Sequence, residues 1–138
     1  MTDNKKLVIE YFNCCNKNDA DAIADQYAPD GVHVVMGRTK ISGTFSREQM
    51  RSLSRNILIA FPSGMKFEIK SLMQEGDTVC CEIETFAKHA NGKEYNNHYA
   101  WIFVFQDGLI KSSKEYLDTQ HMVDIMLTEE STIQRIIS

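Results

Sequence analysis

Glu82, Glu84, Asp118, Lys114, Tyr99, Tyr116 and Trp101 are side chains that could move a proton or hold a polar ligand, provided the chain brings them together. Two dipeptides bear on that question. Asn91-Gly92 and Asp107-Gly108 favour the positive-φ conformations of two-residue hairpin turns, so they predict three consecutive strands and a register between them. With unbulged two-residue loops the cross-strand rows are Glu82, Trp101, Lys114; then Glu84, Tyr99, Tyr116; then Phe86, Asn97, Asp118. One face would then carry three carboxylates among aromatic rings, the composition of a pocket for a flat, partly polar ligand with general acid or base chemistry available. The other face would carry Cys81, Ile83, Ala100, Ile102, Val104 and Leu117.

Each of these residues also has a purely structural reading. Asp118 precedes Thr119-Gln120-His121 and has the right position to cap a following helix. Glu82 and Glu84 turn to the opposite face if the register slips by one residue, and Lys114, opposite Trp101 and one strand from Glu82, has the alternative of a plain surface ion pair.

The elements that must position these groups are legible from apolar spacing. Leu7, Val8, Tyr11, Phe12, Cys14 and Cys15 recur at helical intervals over 5–17, and Asp19 opens a second short helix with the stripe Ala20, Ile23, Ala24, Tyr27. Pro29-Asp30-Gly31 breaks the chain before a β-branched strand, Val32 to Met36, and a second short strand runs from Ile41 to Phe45. Ser46 and Gln49 form a capping box for a helix over 47–61 with Met50, Leu53, Ile57 and Phe61 on one side. A strand from Met65 to Met73 leads into the three-strand meander. Met122, Val123 and Met126 suggest a short final helix, which Ile133, Ile136 and Ile137 could extend or replace by a loose arm.

This order predicts an α+β layout, helices on one face of a curved antiparallel sheet. Both faces of 95–106 are substantially apolar, so a symmetry mate is expected over the outer face, making a homodimer.

The chain has 138 residues, 43% of them hydrophobic, which fits a single domain over 1–138. Its net charge of −4 with scattered basic residues argues against nucleic acid as a partner. No apolar run reaches the roughly 20 residues of a membrane span, and 1–6 are polar, so a cytoplasmic protein with no membrane partner is expected. The cysteines fall in two adjacent pairs, Cys14-Cys15 and Cys80-Cys81, whose side chains diverge on a helix or strand. They read as buried thiols, not as disulfides or a metal cage. No ligand spacing for a metal and no phosphate-cradling glycine loop is present, so no cofactor is indicated.

Several segments resemble the nuclear transport factor 2-like superfamily, which includes ketosteroid isomerase and the SnoaL-like polyketide cyclases. They are Val8, Tyr11, Asn16 and Asp19 in the first helix, then Tyr27-Ala28-Pro29-Asp30-Gly31, Ser42-Gly43-Thr44, 103–108 and Glu115-Tyr116-Leu117-Asp118-Thr119. The resemblance implies a cystatin-like cone: about six strands curve around three helices from the first half of the chain and enclose a pocket. Ligand contacts would come from Tyr11, Tyr27, Leu53 and Phe61 on the helical side. His33, Val35, Glu82, Glu84, Tyr99, Trp101 and Tyr116 would provide the sheet side.

Tyr11 falls where ketosteroid isomerases place an oxyanion-binding tyrosine, while Val35 and Trp101 stand where those enzymes have acids. Asp118 resembles the acid that limonene epoxide hydrolases and SnoaL-like cyclases carry near the end of the sheet. The implied function is binding of a small hydrophobic or polyketide-like molecule. Cofactor-independent isomerase, cyclase or dehydratase chemistry on a carbonyl compound by Asp118 and Tyr11 would follow, the alternative being a non-catalytic binding or association module.

Overall fold

The computed structural model describes residues 3–127 and 135–136. Helices α1 (Lys5–Asn16) and α2 (Ala20–Asp25) lead into strands β1 (Tyr27–Val35) and β2 (Gly43–Ser46), and α3 (Arg47–Ala60) follows. The meander is β3 (Met65–Glu75), β4 (Thr78–Lys88), β5 (Glu94–Gln106) and β6 (Leu109–Leu117), before α4 (Thr119–Met126). The six strands form one sheet in the order β2-β1-β6-β5-β4-β3. Helices α1 to α3 pack on its concave side, and Tyr11, Phe12, Met50, Trp101 and Phe103 share a core. The α+β nuclear transport factor 2-like layout expected from the sequence is therefore present.

Local chemistry explains the element starts. Ser46 Oγ accepts from Gln49 N–H at 3.2 Å while Gln49 Oε1 accepts from Ser46 N–H at 2.8 Å, the reciprocal bonds of the capping box. Asp19 Oδ1 accepts from Ala22 N–H and so opens α2. Two expectations need correction here. Strand β1 starts at Tyr27, ahead of Pro29-Asp30-Gly31, because a register irregularity between Tyr27 and Val32 absorbs that segment without ending the strand. The sheet is also mixed, since β1 runs parallel to β6.

The register of the meander is the third correction. At Asn91-Gly92 the ladder resumes with Lys88 opposite Glu94. Gly92 N–H bonds His89 O, His89 N–H bonds Lys93 O, and Gly92 has φ +88°. This is a three-residue loop with a glycine in the left-handed region, one residue longer than the two-residue form. Asp107-Gly108 does make the expected two-residue turn, both residues at positive φ, but a bulge opposite Val104 and Phe105 shifts β6 beyond Ile110. A one-residue slip exchanges the faces of a strand. Trp101 thus pairs with Cys81 and Glu115, and Tyr99 with Ile83 and Leu117, in place of the rows with Glu82, Lys114, Glu84 and Tyr116.

Beyond Met126, Ile136 is buried against Tyr95 and Met122, whereas the expected roles of Ile133 and Ile137 lie outside the described residues. No described helix is long and apolar enough to cross a membrane.

Candidate functional site

The sheet register that excludes Glu82 and Glu84 from the interior brings in another carboxylate. On β6 the inward residues are Ser113, Glu115 and Leu117, and the parallel pairing sets His33 beside Ser113 and Val35 beside Glu115. On β5 every second residue from Tyr95 to Phe105 is buried, which delivers Tyr95, Asn97, Tyr99, Trp101 and Phe103 to the same side. Helix α3 presents Met50, Leu53 and Ile57 opposite them, as its apolar spacing predicted. Between helix and sheet lies a cavity of about 140 Å³. Its wall includes Tyr11, His33, Val35, Leu53, Tyr99 and Trp101, all six anticipated from the sequence, together with Glu115 and Tyr95, which were not.

The polar groups of this wall are joined in a chain. Glu115 Oε1 lies 2.8 Å from His33 Nε2, and His33 Nδ1 lies 2.6 Å from Ser113 Oγ. Ser113 Oγ is 2.7 Å from the Tyr27 hydroxyl, which is 2.9 Å from the Tyr11 hydroxyl. His33 and Ser113 are buried and Glu115 nearly so, its side chain 15% exposed. One assignment satisfies every member. Glu115 as carboxylate accepts from His33 Nε2–H, Nδ1 accepts from Ser113, Ser113 accepts from Tyr27, and Tyr27 accepts from Tyr11. Burial holds the Tyr11 and Tyr27 hydroxyls above the ordinary phenol range, so both remain neutral donors at physiological pH.

A second group sits further along β5. The Tyr95 and Tyr99 hydroxyls are 2.6 Å apart, and Asn97 Nδ2–H donates to Tyr95 at 2.9 Å. Burial raises both phenols here as well. Cys15, on the helical wall, is pushed up by burial and is therefore a thiol, not a thiolate nucleophile. No group of three or more His, Cys, Asp or Glu side chains that could hold a metal occurs among the described residues.

The remaining sequence candidates stand elsewhere. Tyr27 is buried behind the cavity, between Ser113 and Tyr11 in the hydrogen-bonded chain, and Phe61 packs with Met65 and Tyr95 in an adjoining cluster. Glu82 is exposed on the outer face, where it accepts from Ser71 Oγ. Glu84 lies there too, between Lys70 at 3.4 Å, Asn96 and His98. The Asn96 bond holds the Glu84 carboxyl below the usual carboxylate range. Tyr116 is 39% exposed on that face. Asp118 caps α4, its Oδ1 accepting from His121 N–H at 3.1 Å.

Glu115 escaped the sequence reading because the bulge in β6 carries no turn residue of its own. A signal did exist. Lys111 and Lys114 have opposite parity in a regular strand, and only an extra residue between them lets both reach solvent.

The model of the SnoaL-like domain family matches residues 8–113, more than three quarters of the chain. This chain belongs to the SnoaL-like family. No curated protein matches it by sequence. Among solved structures it is similar to TerC co-crystallised with polyporic acid, at 15% identity and TM-score 0.79, over 92% of this chain and 100% of that one. The BvnE pinacolase of Penicillium brevicompactum aligns at 16% identity and TM-score 0.73, over 85% and 86% of the two chains. A Catenulispora acidiphila protein of ketosteroid isomerase-like fold, in complex with trimethylamine, aligns at 16% and 0.76 over 88% and 92%. At these identities the SnoaL-like protein shares their fold, and its chemistry must be argued from its own residues.

Proposed function

We propose that this SnoaL-like protein binds a compact hydrophobic carbonyl compound in the cone and transfers its protons without a cofactor, using Glu115 as the base and His33 to orient it. The observation that carries this reading is the His33–Glu115 pair, 2.8 Å apart on the wall of a largely apolar cavity. With Oε1 held by His33, Oε2 is the oxygen left to take a proton from carbon beside a carbonyl, and low polarity around it strengthens the exchange. The proton would then return to another carbon in an isomerisation, or leave with hydroxide in a dehydration.

The hydroxyl chain has a second use. If His33 accepts a proton, both its nitrogens donate, the Ser113 and Tyr27 hydroxyls reverse, and Tyr11 is freed to donate into the cavity. Asp118 is not needed for either step. The ligands of TerC and of the Catenulispora protein support small-molecule use of the fold. Four thiols free of disulfides support action in the cytoplasm. A second copy over Ala100, Ile102 and Val104 would complete the molecule as a homodimer.

The test is solvent deuterium exchange at the α-carbon of 1-indanone, followed by proton NMR. The protein is expected to accelerate exchange, and Glu115→Gln to remove most of that gain, on the order of 10²–10⁴-fold for a positioned base. Binding with no exchange would make the cavity a carrier site, the non-catalytic reading. Acceleration that survives Glu115→Gln would reject Glu115 as the base.

A further inference from the structure

Trp101 lines the cavity, is 5% exposed, and its indole Nε1–H has no hydrogen-bond partner among the described residues. A buried donor without an acceptor carries a desolvation penalty, so it calls for an explanation. Flexibility does not supply one. The ring is fixed by Phe12 edge-on at 5.2 Å and 89°, by Phe103 stacked at 6.0 Å and 9°, and by His33 at 5.3 Å.

Nor is an acceptor simply missing. Glu115 is the cross-strand neighbour of Trp101, yet its Oε1 bonds His33 and neither of its oxygens bonds the indole. The Tyr11 hydroxyl is engaged with Tyr27, and Tyr99 with Tyr95. None of these groups bonds the indole nitrogen, so its donor is left over.

We infer that Trp101 Nε1–H is the recognition donor for the bound molecule, and that this molecule presents a neutral acceptor oxygen, a ketone or enone carbonyl on a flat apolar frame. The charge of the site narrows the class. No Lys or Arg is among the described residues that line the cavity, and Glu115 stands beside Trp101, so a carboxylate or phosphate would be buried without a countercharge next to a like charge. A neutral carbonyl meets neither obstacle. Its oxygen satisfies the indole while its ring lies among Tyr99, Leu53 and Val35. A hydrogen bond that strengthens as negative charge develops on the oxygen would also favour removal of the adjacent proton. The inference rests on the proposed function for its binding cavity, but not on Glu115 being a base.

Trp101 is the sole tryptophan of the chain, so the indole proton gives one resolved resonance. In the free protein it is expected at an upfield, unbonded position and protected from solvent exchange. A downfield, rapidly exchanging signal would overturn the inference. The binding probes are 1-indanone and indane, which share a ring frame and differ in the carbonyl. Indanone should move the indole proton downfield; indane should perturb the methyl signals of Met50 and Met122 without that shift. Trp101→Phe keeps an aromatic ring and removes the donor. It should weaken indanone by roughly 3- to 10-fold, the value of one hydrogen bond, and leave indane unchanged. Equal indole shifts with both probes, or equal losses in Trp101→Phe, would overturn the donor role while leaving the cavity reading intact. If neither probe perturbed the methionine methyls, the cavity reading would fall, and the donor role with it.

Discussion

Asp118 shows how one residue can satisfy two sequence patterns and only one geometry. Its carboxylate is exposed and bonded to His121 N–H at 3.1 Å, so it stabilises the start of α4 as an N-cap. Asp118→Ala is expected to cost about 1 kcal/mol in urea denaturation, the usual value of a cap, and to leave deuterium exchange of 1-indanone unaltered. A loss of exchange at full stability would restore it as the catalyst. The buried phenols govern the response to alkali. Burial raises Tyr11, Tyr27, Tyr95 and Tyr99 above their unfolded values. A raised pKa contributes stability that is complete below the unfolded value of roughly pH 10 and is lost as pH climbs toward the folded values. Tyrosinate absorbance is therefore expected to rise cooperatively, together with unfolding, above about pH 10. A gradual rise of more than one tyrosine's amplitude, in a protein still folded by circular dichroism, would show that these hydroxyls are open to solvent.

At the scale of elements, the contact between β1 and β6 positions the site. Parallel strands need a long connection, and here the whole of β2 to β5 lies between them. The two strands approach at Gly31, where a β-carbon would stand 2.5 Å from Ile110 O and 3.0 Å from Ala28 O. Backbone atoms cannot yield as a side-chain tip can. Gly31→Ala should force β1 away from β6, costing roughly 1–3 kcal/mol by the scale of overpacking, and should separate His33 from Ser113. Urea denaturation reads the first effect and the exchange assay the second. Unchanged values in both would mean that the strands are not held as closely as the register implies.

For the whole molecule, the outer sheet face carries the exposed apolar surface that an assembly would use. Met73, Phe86 and Tyr116 are exposed there, at 62%, 39% and 39%, beside the half-buried Ile102 and Val104. A second copy would bury this apolar area on its own counterpart, and obligate interfaces of this kind cover about 2,000 Å² or more. Light scattering at micromolar concentration is expected to give a dimer mass. Ile102→Glu should give monomers or unfolded chains, because two carboxylates would meet across the symmetry axis. A wild-type monomer would refute the proposed assembly.

Periodic apolar spacing and caps determined the elements from sequence alone. Ser46 with Gln49, Asp19, and the stripe Met50, Leu53, Ile57 act within a few residues of themselves, and such short-range rules do not depend on the rest of the fold. Six cavity residues were legible for the same reason, since helix face and strand parity are local properties when the family layout supplies the partner. The identity of the polar site was not. It turns on one extra residue in the Asn91-Gly92 loop and one bulge in β6, and each reverses a face without altering composition or hydrophobic content. The proximity of His33 and Glu115, 82 residues apart in the chain, arises from a parallel pairing that no turn encodes. Only the tertiary structure decides such a contact, because its free energy lies in the closure of the whole sheet.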